Sequence, residues 1–285
     1  EIQGERLKAA HVDEVHDVHV FILSYPLDSG EVQKMELKMS KDFEGFSQRA
    51  AQEALVYKGS FASIDEYLPR MGYDKTKLLT SNRKRLANGL ERIESILPDL
   101  DDFQALSQNM YRTDAQQIQG SLTISTTKEQ VPIGAGTIKD SWTGEGRQFT
   151  LFEINQAGPL TWAIGSAPYK ILEDKQLAIY HHPSHTYNLD LYRRALSGSF
   201  AFVEAHLGNY PYDQIRLYEV PRYHEEIHSF ANGISIPELE GWLADTSGLK
   251  ERAYLRHTIA TAMCEHWVQT NLNIAHVQGA EMLRV

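Results

Sequence analysis

The spacing of apolar residues divides the chain into a first part with strand-like alternation and a last part with helical periodicity. Alternating apolar and polar residues at 116–126, 147–154 and 160–166, separated by turn residues, predict short antiparallel strands. Two earlier apolar runs, 16–24 and 32–39, flank a turn-rich link and predict a hairpin. The pattern therefore predicts an antiparallel β-sandwich for the first part of the chain.

Beyond residue 170 the pattern changes to strands that alternate with amphipathic helices. Strands are predicted at 176–180 and 214–220, and an apolar stripe between them predicts a helix over 189–207 with Asn188 or Thr186 as its cap. A second, buried helix is predicted over 249–269, which contains no Pro or Gly. Its apolar positions recur every four residues: Leu255, Ile259, Met263 and Trp267.

The composition is that of an ordinary globular protein with an acidic balance. Hydrophobic residues make up 42% and charged residues 23% of the chain, and no run of 18 apolar residues occurs. With 28 basic and 38 acidic side chains the net charge is -10, which repels phosphate backbones. We therefore expect no nucleic-acid partner.

Three histidines within five residues, His181, His182 and His185, suggest a metal site. Adjacent histidines point to opposite sides of a strand, however, and Pro183 fixes an extended link. The interpretation as a structural junction is therefore favoured. The single cysteine, Cys264, lies within the second predicted helix and is interpreted as a small buried residue rather than a nucleophile.

The predicted helix and the segment after it, which includes His276-Val277-Gln278-Gly279-Ala280-Glu281, resemble a known pair of elements. They resemble the zinc helix and following helix of the aminopeptidase N-like gluzincins, peptidase family M1. The likeness is greatest to the aminopeptidase-like domains fused to bacterial ABC-2-type transporter permeases. The family helix carries His-Glu-x-x-His-Gln-Trp, in which two histidines bind zinc and the glutamate activates a water.

Alignment of Trp267 with the family tryptophan places Thr261 and Glu265 at the two histidine positions and Ala262 at the general base. The third zinc ligand should fall at Arg284 or Val285. Thr and Ala cannot replace a ligand and a base. The resemblance thus implies the family's fold with a degenerate zinc motif, no catalytic residues and no cofactor.

The implied fold is mixed. An antiparallel β-sandwich over residues 1–175, like the family's N-terminal domain, precedes the first part of a thermolysin-like α/β (gluzincin) domain over 176–285. The family's remaining helices are expected beyond Val285. At the strand beside the substrate, the family's Gly-Ala-Met-Glu-Asn corresponds to a segment ending Ala231-Asn232-Gly233, in which Ala231 replaces the glutamate that would hold a substrate's amino terminus.

A literal His-Glu-x-x-His occurs elsewhere, at His224-Glu225-Glu226-Ile227-His228. Two histidines at i and i+4 with an intervening glutamate meet the geometric need of a zinc peptidase. The segment is short and polar, however, and lies between Pro221 and Asn232-Gly233, which favours a surface loop. Two alternatives remain. One is a zinc site in which His224 or His228 converges with Glu265 or His266, and the other is a site in which the motif uses a carboxylate such as Glu238, Glu240 or Glu265.

These residues lead to two functional hypotheses. The first is a non-catalytic aminopeptidase-like domain, a pseudoenzyme, that binds a peptide or protein or serves as a scaffold. Its partner is the transmembrane permease region of the same parent protein, and the resemblance places it on the extracytoplasmic side of a bacterial membrane. The second is an active zinc metallo-aminopeptidase that uses the His224 to His228 motif.

Overall fold

The computed structural model describes most of the second half of the chain and separate stretches of the first half. The described residues are 8–15, 18–23, 26, 28, 31, 36, 38, 40, 55–56, 59–63, 79–93, 98–106, 117–159, 163–221, 227–272 and 277–278. The chain falls into two compact units, Glu1–Ser47 and Gln48–Val285. The predicted division at residue 175 is a different one and stays a prediction.

The described part of the first unit is a small antiparallel pair of strands. Strand β1 (His11–Asp13) pairs with β2 (Val18–Val20), and the amide of Ala10 donates to the carbonyl of Val20 at 2.7 Å. Strand β2 lies within the predicted strand 16–24. Most of its expected partner, 32–39, lies outside the described residues.

The second unit begins with antiparallel sheets, as the alternation predicts. A four-stranded sheet has the order β3-β4-β9-β6, formed by β3 (Leu55–Val56), β4 (Gly59–Ser63), β6 (Val131–Gly134) and β9 (Ala163–Ala167). A three-stranded sheet has the order β5-β8-β7, formed by β5 (Gln117–Thr127), β7 (Thr137–Gly144) and β8 (Arg147–Pro159). Two short helices, α1 (Asn82–Ala87) and α2 (Phe103–Leu106), precede β5.

A five-stranded mixed sheet follows, with the order β10-β11-β12-β14-β13. The three central strands, β11, β12 and β14, are parallel, whereas both edge strands are antiparallel to their neighbours. Parallel strands covered on both faces are mostly apolar, and every residue of these three strands is buried, including the charged residues Arg216 and Glu219. The strands are β10 (Lys170–Glu173), β11 (Leu177–His181), β12 (Ile215–Val220), β13 (His228–Phe230) and β14 (Gly233–Pro237).

Two long helices complete the unit and confirm the helical periodicity. Helix α3 (Leu189–His206) connects β11 to β12, and α4 (Leu249–Asn271) follows β14. Asn188 is the N-cap residue of α3, but its side chain does not bond to a helix amide. Its Nδ2 instead donates to the carbonyls of Gly241, at 2.7 Å, and Ala244, at 3.0 Å. The start of α3 is thereby fixed to the loop after β14.

The mixed sheet lies between two hydrophobic cores, because successive strand residues point to opposite faces. Ile179, Leu217 and Ile236 face a core built with α3 and α4. Tyr180 and Tyr218 face a second core. That core includes Phe61 of β4, Ile133 of β6 and Ile154 of β8. The described fold is thus mixed, with several antiparallel sheets and four helices, while the packing of the antiparallel sheets as a sandwich stays a prediction.

Gly136, between β6 and β7, ties this second layer to the mixed sheet. Its φ of 91° lies in the left-handed region, which favours glycine. Its amide donates to the carbonyl of Ala231 at 2.9 Å, and its carbonyl accepts from Nη1 of the buried Arg216 at 2.7 Å. The backbone of Gly136 therefore provides hydrogen-bond partners for the carbonyl of Ala231 and for the side chain of Arg216.

Candidate functional site

The positions of the expected zinc helix lie on α4 but offer one ligand side chain. Thr261 and Glu265 are half-buried, and Ala262 is 3% exposed within the core shared with α3. Of the three, only Glu265 carries a side chain of the kind that binds zinc. The expected third-ligand positions, Arg284 and Val285, lie outside the described residues. A zinc ion therefore does not fit the residues described on α4.

His266, beside Glu265, is used by the protein core. It is 1% exposed, and its Nε2 shares a hydrogen bond of 2.8 Å with Tyr210 Oη. Burial lowers the pKa of His266 to about 4, so its imidazole is neutral at neutral pH. The neutral ring is thus occupied by a hydrogen bond inside the core.

Of the three residues of the expected substrate edge, Ala231 and Asn232 form the tight turn between β13 and β14, and Gly233 is the first residue of β14. Asn232 has a φ of 62° and is 1% exposed, with Nδ2 at 3.4 Å from the carbonyl of Gly136. A Cβ on Gly233 would come within 2.6 Å of the Phe230 ring. Since Asn232 and Gly233 are enclosed by protein atoms, Ala231 is the one residue of the three with partial exposure.

The literal motif lies only partly within the described chain. His224, Glu225 and Glu226 are outside the described residues, and His228 is the first residue of β13. His228 is half-buried, pairs with Ser235 of β14, and lies 6.4 Å from the Phe61 ring. A zinc helix needs both histidines on one helix, one turn apart. His228 is in a strand.

A different cluster joins one of the predicted junction histidines to two carboxylates. His185 follows β11, Glu219 lies near the end of β12, and Glu238 comes directly after β14. Since β11, β12 and β14 are parallel neighbours, their carboxyl ends meet at one edge of the sheet. The ligand atoms of these side chains lie within 4.8 Å of one another. In open α/β sheets, ligands bind at this edge.

The imidazole of His185 lies between the two carboxylates. The Nδ1 of His185 donates a hydrogen bond to Glu219 Oε1, and the Nε2 of His185 lies 3.7 Å from Glu238 Oε1. Glu219 Oε2 accepts a hydrogen bond from the amide of His182 at 2.7 Å. The side chains of Glu219, His185 and Glu238 are 5%, 13% and 28% exposed, so the cluster opens to solvent on the side of Glu238.

The Glu219 carboxylate of this cluster lies in a buried environment. Burial raises the pKa of Glu219 above its usual range, and hydrogen bonds from His182 and His185 oppose that effect. The backbone at this position is fixed as well, because Tyr169 Oη donates to the carbonyl of Glu219 at 2.6 Å. Burial also lowers the pKa of His181, whose Nδ1 lies 2.9 Å from the carbonyl of His182.

Sequence reasoning named two of these three residues in other contexts and missed Glu219. The histidine group that contains His185 was interpreted as a structural junction, and Glu238 was one of several carboxylates offered as partners of the His224 to His228 motif. The signal for Glu219 was available, because a carboxylate within the predicted strand 214–220 is unusual unless it is paired. The partner lies in a different segment, and pattern along the chain does not reveal it.

An open groove lies between α3 and α4. Its lining includes the small residues Ala195 and Ala260 and the basic residues Arg194 and Arg256. Cys264 also lines this groove, and burial raises the pKa of its thiol. The thiol is therefore protonated at neutral pH, which does not favour a nucleophile.

Comparison with known proteins shows an aminopeptidase-like fold for part of the chain. The likeness is to the crystal structure of Legionella pneumophila aminopeptidase A in complex with aspartic acid, with a TM-score of 0.50 and 14% sequence identity. It covers 55% of this chain and 20% of the other, so this chain spans a fifth of that protein's length. No protein-family model and no curated protein sequence matches the chain.

Within the described residues, no helix combines the length and the apolar character needed to cross a bilayer.

Proposed function

We propose that this chain is a non-catalytic aminopeptidase-like domain of an ABC-2-type transporter permease. In this proposal the domain binds a peptide or protein, or serves as a scaffold, and catalyses no peptide hydrolysis. The fold likeness supports the aminopeptidase-like part of the proposal. The link to a permease rests on the sequence resemblance.

The non-catalytic part of the proposal rests on which residues stand at the zinc-helix positions on α4. Hydrolysis by a zinc peptidase needs a bound metal and a base that activates water. Ala262 has neither a proton acceptor nor access to solvent, since it is 3% exposed. Thr261 supplies no ligand of the kind that zinc prefers, and the nearby His266 imidazole is held by Tyr210.

The extracytoplasmic position and the permease partner belong to the same proposal. In this arrangement the parent chain's permease region lies in the membrane and the domain faces outward. Loss of the reaction leaves the surface of an aminopeptidase-like fold free to recognise peptides or proteins without cleaving them.

A peptidase assay on the purified chain tests the non-catalytic part. The chain, freed of metal by a chelator, would be incubated with and without added zinc and with short peptides that have free amino termini. Mass spectrometry should detect no amino-terminal trimming above a protein-free blank. Chelator-sensitive trimming that is lost in His224→Ala would overturn the proposal and support the zinc aminopeptidase alternative.

Fractionation of the producing cells tests the location. An antibody raised against the chain should detect it in the membrane fraction. Protease added to spheroplasts should degrade it while a cytoplasmic control protein survives. Detection in the cytoplasm alone would remove the permease link and leave the aminopeptidase-like fold as it stands.

A further inference from the structure

We infer that His185, Glu219 and Glu238 form a binding site for a divalent transition-metal ion, with zinc as the first ion to test. In this site His185 Nε2 and the Glu238 carboxylate bind the ion, and Glu219 orients the imidazole through a hydrogen bond with Nδ1. The inference goes beyond the proposed function and does not depend on it. The site is separate from α4, where the residues do not fit zinc.

The hydrogen bonds of the imidazole decide which nitrogen is free for an ion. Nδ1 donates to Glu219, so Nε2 carries the free lone pair and faces Glu238. Metal-binding histidines characteristically donate their other N–H to a carboxylate, which sets the tautomer and raises the basicity of the ligand nitrogen. Glu219 is in the position of that carboxylate.

The separation of the donor atoms fits a small divalent ion. Zinc bonds of about 2.0–2.2 Å place neighbouring ligand atoms of a tetrahedral site roughly 3.4 Å apart. His185 Nε2 and Glu238 Oε1 are 3.7 Å apart, so a slight rotation of either side chain brings both to an ion. Solvent reaches the site past the Glu238 side chain, which is 28% exposed, and completes the coordination.

The charge of the cluster also favours a cation. Among the ion pairs of the described residues, both carboxylates share His185 as their partner. One imidazolium carries at most one positive charge, so when both carboxylates are ionised the cluster keeps at least one uncompensated negative charge in a mostly buried place. A divalent ion balances both carboxylates while the imidazole stays neutral.

The segments that carry the ligands are held in place before any ion binds. Glu219 belongs to a buried strand, and the amide of Glu238 donates to the carbonyl of Val220 at 2.9 Å. Asn188 connects the segment after His185 to the loop after Glu238 through its bond to Gly241. Pre-positioned ligands lose little conformational freedom on binding, which raises the affinity.

The donor set selects the class of ion. A mixture of imidazole nitrogen and carboxylate oxygen suits zinc, manganese or ferrous iron better than magnesium or calcium, which prefer oxygen ligands alone. The expected ligand is therefore a transition-metal ion. Magnesium chloride serves as the control ion in the experiment.

Titration of the metal-free chain with zinc chloride, followed by elemental analysis after dialysis, tests the site. We expect one zinc per chain, and at least about 10-fold weaker binding for Glu238→Gln and for His185→Gln. Glu240→Gln is the matched control, because Glu240 lies two residues further on and its carboxylate contacts Tyr254 Oη at 3.4 Å. That variant and His224→Ala should bind zinc like the unaltered chain.

A measurement on the unaltered chain guards against variants that fail to fold. Nitrogen NMR of the histidine rings should show that Nε2 of His185 shifts when one equivalent of zinc is added, while magnesium leaves it unchanged. The inference is overturned if the chain binds no zinc, if Glu238→Gln binds it equally well, or if His224→Ala abolishes binding.

The outcomes for this site and for the proposed function are separable. Zinc binding without peptide hydrolysis leaves both standing. Hydrolysis that persists in Glu238→Gln would overturn the proposed function and leave the metal site to be judged by the titration alone.

Discussion

Tyr210 Oη and His266 Nε2 share a hydrogen bond of 2.8 Å in the interior of the protein. Burial lowers the pKa of His266 to about 4, and burial also raises the pKa of Tyr210 well above its usual range. Both groups are therefore neutral over the physiological pH range. The pair connects the segment between α3 and β12 to the C-terminal half of α4.

Stability should consequently fall in mild acid. The unfolded chain takes up a proton at His266 near the ordinary histidine pKa of about 6.5, whereas the folded chain resists protonation until about 4. The unfolded state thus binds more protons between these values. His266 should lower the free energy of unfolding by about 2 kcal/mol between roughly pH 7.5 and pH 5, as measured by urea titration.

The matched control for this effect is the double variant Tyr210→Phe/His266→Leu. It removes both polar groups together, so neither partner is left unsatisfied. The free energy of unfolding of this double variant should fall less with decreasing pH, because the contribution of His266 is missing. An unchanged slope in the double variant would show that other groups cause the acid sensitivity.

Asn188→Ala should destabilise the protein by about 2–3 kcal/mol. The side chain is 3% exposed, donates to two carbonyls of the loop after β14, and accepts from Thr246 Oγ1 at 2.7 Å. Asn188→Asp should be at least as harmful, because a carboxylate cannot donate to carbonyl oxygens. Urea unfolding of both variants gives the comparison.

The control for Asn188 is Asp190→Asn in the first turn of the same helix. Asp190 pairs with Arg193 and Arg194 on the surface, with 63% of its side chain exposed. Exposed pairs contribute at most about 1 kcal/mol. A loss in Asp190→Asn as large as that in Asn188→Ala would argue against the loop anchor.

Gly136→Ala should cost at least about 2 kcal/mol more than Gly146→Ala, measured as the difference in free energy of unfolding. Both glycines have positive φ angles, of 91° and 77°. A Cβ on Gly136 would lie 2.4 Å from the carbonyl oxygen of Glu153, whereas one on Gly146 meets nothing within 4 Å. Equal losses in the two variants would show that the close approach is relieved without cost.

Ala262→Glu should lower the free energy of unfolding by about 3 kcal/mol or more, since it places a carboxylate in the core between α3 and α4. Ala253→Glu, on the exposed part of the same helix, is the control and should change stability by less than about 0.5 kcal/mol. If both variants were equally stable, position 262 would face open space, as the base of a zinc peptidase does.

Local pattern sufficed for the two long helices and for strands such as β5, β8, β11 and β12. Helix 189–207 was predicted and α3 spans Leu189–His206, because its apolar stripe repeats without interruption. Helix 249–269 corresponds in the same way to α4, Leu249–Asn271. The strand at 214–220 became β12, Ile215–Val220. Each of these elements depends on residues close together in the chain.

Pairing between distant segments could not be predicted in this way. Nothing near Glu219 in the sequence indicates that His185 is its partner, since strand order decides which loop ends meet. The role of Asn188 was missed for a similar reason. Its sequence context is that of a helix cap, but the carbonyls it binds belong to a loop more than fifty residues away.

Strand β12 contributes alternate residues to both hydrophobic cores, with Leu217 on the helix side and Tyr218 on the opposite side. Loss of structure in strand β12 would therefore expose apolar side chains of both cores at once. Residues 48–285 should lose their structure in a single cooperative transition. A fragment that starts at residue 176 would keep the helices but leave Tyr180, Tyr218 and Val220 uncovered in water, where such a surface promotes aggregation.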